Sequence, residues 1–106
     1  MSFFSFLRGI DINQEVNNCR SIPGAVLVDV RTPQEYQEGH IPDSINIPLQ
    51  ALNRIGNIIM KKDTPVYVYC YSGSRSRHAA GALGQMGYSN VHNAGGISSY
   101  TGKMSF

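Results

Sequence analysis

The chain has 106 residues, 42% of them hydrophobic and 15% charged, with a formal net charge of +2. These values describe one folded domain with a single modest core, and they exclude an intrinsically disordered chain. No basic run exceeds Lys61-Lys62, so there is no electrostatic footprint for nucleic acid. The two cysteines, Cys19 and Cys70, form no Cys-x-x-Cys motif, which points to a reducing, cytoplasmic setting and away from a disulfide framework.

At the amino terminus, Met1-Ser2-Phe3-Phe4-Ser5-Phe6-Leu7-Arg8 is apolar but has no basic leader region or cleavage site. A membrane-spanning helix needs about 20 apolar residues, so no span is expected here. Residues 1–10 are read as an extension that packs on the domain or on a partner.

Asp11 caps a short helix that runs to about Arg20, with Gln14 completing a variant capping box. Ile12, Val16 and Cys19 share one face of it, so Cys19 reads as a small core side chain. A resolving thiol for Cys70 is the alternative. Pro23-Gly24 turns the chain into Ala25–Val30, an apolar run without alternation, as expected for a strand covered on both faces.

Thr32-Pro33-Gln34-Glu35 is a helix start, with Thr as cap, Pro at the first position and Glu closing the box. Gly39 stops that helix. Ser44–Ile47 alternates as a strand and Pro48 ends it. Leu49 to about Met60 reads as a helix with Leu52, Ile55 and Ile59 as its buried stripe.

Val66–Cys70 is a β-rich run entered from Pro65, and Asn90–His92 is a last short strand. A helix from His78 to about Gly87 separates them. Gly95-Gly96 leads into a helical piece around Ile97–Thr101. Strands and helices alternate throughout, so the expected fold is a three-layer α/β domain around a mostly parallel sheet. In such sheets sites gather beyond the carboxyl ends of strands, where this reading puts both Asp29 and Cys70.

The chemistry concentrates at Cys70-Tyr71-Ser72-Gly73-Ser74-Arg75-Ser76-Arg77. A thiol at a strand end faces a small polar loop there. Gly73 allows the backbone to turn several N–H groups inward. Arg75, Arg77 and the amino end of the following helix add positive character, and all of these favour thiolate over thiol. Four residues separate Cys70 from Arg75. Cysteine-dependent phosphatases need a wider loop for a tetrahedral oxyanion, so this one suits a smaller group, such as one added sulfur atom. No Gly-Lys-Ser/Thr of a phosphate-binding loop occurs, and His78 follows too closely to act as a protease-type partner.

Three ordered stretches resemble the rhodanese family, over about Asp11 to Thr101. Asp29-Val30-Arg31 with Glu35-Tyr36 and Gly39–Pro48 resembles its first signature, and Cys70–Ser76 its active-site loop. Gly95-Gly96-Ile97 resembles its final signature, with Tyr100 where tryptophan is common. The resemblance implies a single rhodanese-like domain over residues 1–106, with about five mostly parallel strands flanked by helices.

It also implies a sulfurtransferase. Cys70 would take the outer sulfur of thiosulfate or a persulfide donor and pass it to cyanide, a thiol or a protein acceptor. Tyr71, Ser72, Gly73, Ser74, Arg75 and Ser76 would form the substrate-binding loop, with Arg75 attracting the anionic donor. No metal or organic cofactor is implied. Asp29 either fixes the loop by a hydrogen bond, as the resemblance implies, or pairs with Arg31 at the surface. Arg31 is read as holding the helix that Thr32 begins.

His40 is read as bonding backbone in a turn and His92 as a strand surface residue, with no metal-type spacing. Tyr67 and Tyr69 read as core or half-buried aromatics, and Tyr71 as a wall of the pocket. Two other functions compete. One is a non-catalytic module that uses the same cleft to bind a partner or sense anions. The other is an arsenate or phosphate-ester enzyme, which the loop length disfavours.

Overall fold

The computed structural model describes residues 9–106. The expectation for the amino-terminal extension falls outside them apart from Gly9 and Ile10, and Ile10 lies over Gly95. Four strands form one parallel sheet in the order β2-β1-β3-β4: β1 Val26–Asp29, β2 Ile45–Asn46, β3 Val66–Cys70 and β4 Val91–Gly96. The three-layer, parallel α/β expectation holds, with four strands among the described residues against about five expected.

Helix α1, Ile12–Ser21, starts where Asp11 accepts hydrogen bonds from the N–H groups of Asn13 and Gln14. Its Ile12, Val16 and Cys19 pack with Leu27, Tyr67, Tyr69 and Ala94 on one face of the sheet. On the other face Ala79 and Leu83 of helix α3, Ser74–Gln85, meet Val28, Val30, Val66, Val68 and Cys70. The alternation along β3 therefore sends its valines and Cys70 one way and its tyrosines the other. All five residues of β3 are buried, which explains a run with no exposed face.

Two expectations need correction. The segment after Pro48 is a 3-10 helix over Leu49–Asn57 with a break at Ala51 (φ −107°, ψ 15°), not an α-helix to Met60. Asn53, Gly56 and Asn57 are weak helix formers and Pro48 supplies no side-chain cap, so burial of Leu52, Ile55 and Ile59 holds the segment in place. Helix α3 begins at Ser74 rather than His78, so Arg75, Ser76 and Arg77 stand on its first turn and not in an open loop.

Between Val68 and Tyr69 the register against β4 slips: Val68 pairs with Asn93, and Tyr69 with Gly95. Ala94 is the extra residue of this bulge, and Gly95 takes φ +106°. The bulge re-aims the end of β4 toward the loop after β3.

The chain leaves β1 through helix α2, Pro33–Gln37, to one side, and leaves β3 through α3 to the other. The adjacent carboxyl ends of β1 and β3 thus form a topological switch point, where crevices open in parallel sheets. No helix among the described residues is long and apolar enough to cross a membrane.

The two-sided core makes one expectation quantitative. Leu83→Ala, at a fully buried site, should lower unfolding free energy by about 2–5 kcal/mol. Met60→Ala, at a site 78% exposed, should stay within about 0.5 kcal/mol. Urea midpoints followed by circular dichroism separate the two.

Candidate active site

Cys70 ends β3 and is fully buried, whereas Tyr71, Ser72 and Ser74 above it are exposed. The sulfur therefore lies under a single layer of loop. That loop turns sharply because Gly73 adopts φ +101° as the N-cap of α3. A glycine cap offers no side-chain acceptor for the first-turn N–H groups of its helix. Cys70 Sγ occupies that vacant acceptor role.

The Gly73 N–H donates to Cys70 Sγ at 3.0 Å, and the Ser76 hydroxyl lies 3.5 Å from it. Burial by itself would push the thiol up. Donation from the Ser76 hydroxyl, and from the N–H groups of Ser76, Gly73 and Ser72, outweighs it and holds Cys70 below the ordinary thiol value. The cause is hydrogen bonding in a dry setting, where such bonds are stronger than in water.

Cys19 makes the contrast. It is buried without such donors, and burial pushes its thiol up to about 11. It packs on the opposite face of the sheet from Cys70, which leaves it a core side chain rather than a partner for that sulfur.

Asn93, which the sequence reading did not single out, organises the donors. Its Nδ2 donates to Gly73 O at 3.3 Å, and its Oδ1 accepts from Gly95 N–H at 3.0 Å and from the Ser76 hydroxyl at 2.6 Å. Ser76 has one proton to give, so Asn93 Oδ1, the Gly73 and Gly95 carbonyls and Cys70 Sγ compete for it. A charge-assisted bond is the stronger, so ionisation of Cys70 draws that proton toward the sulfur. No sequence motif marks Asn93; the β4 bulge brings it there.

Gly96 completes the floor. A Cβ there would fall on the Tyr71 carbonyl oxygen and within 2.8 Å of Ser72 Cα and C. Only glycine allows this approach of β4 to the loop. The Ser98 N–H then donates to Tyr71 O at 3.0 Å.

Asp29 and Cys70 end adjacent strands on the same rim, as expected, but they point to opposite faces of the sheet. Asp29 is fully buried, not at the surface. Its carboxylate accepts from Arg31 N at 2.8 Å, from Arg31 Nε at 3.0 and 3.1 Å and from Arg31 Nη2 at 2.7 Å. Arg31 also donates to Gly39 O at 2.7 Å, which ties the end of β1 to the turn after α2. Tyr69 lies beneath, its hydroxyl accepting from Ile41 N–H and meeting Ser44 Oγ at 3.0 Å. Burial raises the Tyr69 phenol well above its ordinary value.

Arg75 forks onto Glu35: Nη1 to Oε1 at 2.7 Å and Nη2 to Oε2 at 3.0 Å. Glu35 also closes the capping box of α2 with Thr32. The sequence marks Glu35 as a cap; its second role, clamping α2 to α3, comes from tertiary structure. The Arg75 guanidinium holds the Glu35 carboxyl down to about 2, from an ordinary 4.5.

Tyr71 forms a wall of a cavity of about 370 Å³ that is also lined by Arg31, Glu35, Glu38, Gly39 and Met104. His40 Nδ1 meets Tyr36 O at 2.9 Å, and its ring stacks on Tyr36. His92 is half-buried and stacked on Tyr67 rather than open at the surface. Among the described residues no group of His, Cys, Asp and Glu could hold a metal ion.

Two measurements follow. Alkylation of Cys70 by iodoacetamide, followed against pH, should show a midpoint below that of a free thiol. Ser76→Ala should move that midpoint upward. A folded-state carboxyl held low stabilises above its unfolded value and loses that contribution as pH falls through the window between them. Acid unfolding of the wild type should therefore steepen between about pH 4.5 and 2, and Glu35→Gln, which keeps the cap, should flatten that stretch.

Comparison with known proteins agrees with this geometry. The family description Rhodanese-like domain matches residues 12–103. The chain is 44% identical over 71 residues to thiosulfate sulfurtransferase PspE of Escherichia coli, an alignment covering 66% of this chain and 68% of that protein. It is 41% identical over 75 residues to thiosulfate sulfurtransferase GlpE of Pseudomonas syringae, covering 69% and 68%. A structure of an E. coli rhodanese with anions superposes with a TM-score of 0.72 at 38% identity, covering 76% of this chain and 96% of that one. A fold, a loop and a match that spans most of the sequence agree, and the chain belongs to the rhodanese-like family.

Proposed function

We propose that this protein is a sulfurtransferase that carries sulfur on Cys70. The observation that carries the reading is a buried sulfur with the Gly73 amide at 3.0 Å and the Ser76 hydroxyl at 3.5 Å. Such a sulfur is ionised more readily than a free thiol. Relatives named as thiosulfate sulfurtransferases support the same reaction class.

In the first step the Cys70 thiolate attacks the outer sulfur of thiosulfate. A new S–S bond forms, the old one breaks with its electron pair on the departing sulfite, and Cys70 is left as a persulfide anion. The N–H groups of Ser72, Gly73 and Ser76, which favour the thiolate, hold that anion as well. In the second step a nucleophilic acceptor, cyanide or a thiol of a small molecule or protein, attacks the outer sulfur. The Cys70 thiolate then leaves with the bonding pair. Splitting transfer through a covalent carrier gives ping-pong kinetics.

Tyr71, Ser72 and Ser74 are exposed and meet the incoming donor, while Gly73, Ser76 and the Arg75–Glu35 fork fix the loop. Asp29 and Arg31 hold the neighbouring strand end and the turn at Gly39.

Incubation with thiosulfate followed by intact mass measurement tests the reading. The expected result is a gain of one sulfur atom that cyanide removes and that Cys70→Ala abolishes. Wild-type protein that takes up no sulfur would leave a binding module in this cleft as the better account.

A further inference from the structure

Three guanidinium groups stand near the loop, and the structure separates them by what they face. Arg31 is consumed by Asp29 in a buried pair, and Arg75 by the fork to Glu35. On that flank a cavity is lined by Arg31, Glu35 and Glu38; with Arg31 and Glu35 each in an ion pair, the charge left unpaired along its walls is the Glu38 carboxylate, which repels an approaching anion. The opposite flank differs. A cavity of about 300 Å³ is lined there by Ser72, Gly73, Ser74, Arg77 and Asn93, with no acidic residue along its walls. Arg77 is exposed and makes no salt bridge among the described residues. The same cavity touches Gly73, whose amide holds Cys70 Sγ.

We infer that Arg77, one turn along α3, recruits the anionic sulfur donor through this second cavity, while Arg75 serves as a clamp. The inference rests on the sulfurtransferase reading. A dianion such as thiosulfate gains attraction at Arg77 that it cannot gain from Arg75, whose charge Glu35 offsets within 3.0 Å. Arg77 is a specificity-determining residue on this account. It acts on encounter and binding, and the thiolate is set by other groups.

Two probes of equal reactivity class and different charge separate this role from a structural one. Iodoacetate and iodoacetamide both alkylate a thiolate, and only the first is anionic. Their rate ratio at Cys70, read by peptide mass, cancels any change in thiolate fraction. Arg77→Ala should lower the iodoacetate-to-iodoacetamide ratio, and should slow sulfur loading from subsaturating thiosulfate about three- to tenfold. Added salt should weaken the wild-type advantage, and Arg77→Lys should keep most of it.

An unchanged ratio and loading rate in Arg77→Ala would overturn the inference, as would equal slowing with both alkylating agents. Wild-type protein that alkylates with the expected ratio but never loads sulfur would instead overturn the sulfurtransferase reading. In that case Arg77 would not be recruiting a sulfur donor.

Discussion

The site depends on the substitution of a sulfur for a helix cap. Helix α3 starts on Gly73, which has no side chain to accept the first-turn N–H groups. The Ser76 N–H of that turn, with the Gly73 and Ser72 N–H groups just before it, converges on Cys70, and the electrostatic need of the helix end becomes the stabilisation of an anion. Burial and ionisation usually oppose each other at a cysteine. Here the desolvation that raises the thiol is outweighed by donors that act more strongly because water is absent. Cys19, in the same small domain, shows the result of burial alone.

Around that centre the supports are arranged by element. Asn93 links Gly73, Ser76 and Gly95, so the end of β4 sets the shape of the turn after β3. Glu35 ties the first turn of α3 to the first turn of α2 through Arg75, and Arg31 ties the end of β1 to the turn at Gly39. Two guanidinium groups are thereby committed to joining elements. Each does so by a planar fork onto a carboxylate, a geometry that lysine could not reproduce.

Much of this was legible in the residues. The non-alternating Ala25–Val30 run, the Thr32–Glu35 capping box and the Val66–Cys70 strand carry local chemistry that survives folding, and each appears where expected. The loop around Gly73 was legible because positive φ favours glycine. What escaped depends on contacts between distant elements. Helix α3 starts at Ser74 on a glycine that caps it without a side-chain acceptor, so no capping signature marks its start. The 3-10 form of Leu49–Asn57 reflects burial overriding weak helix propensity. The opposite facing of Asp29 and Cys70 follows from strand register, and the place of Asn93 from a bulge. Neither has a signature in one dimension.

The contact between Gly96 and the loop has a further bearing on how such a site can vary. Backbone rests on backbone there, with room for no side chain. The underside of the sulfur cradle is therefore fixed in shape, and neither bulk nor charge can be introduced from below without displacing β4. Diversity in what the protein accepts must enter through the rim, where Tyr71, Ser72 and Ser74 stand in water and can be exchanged at little structural cost.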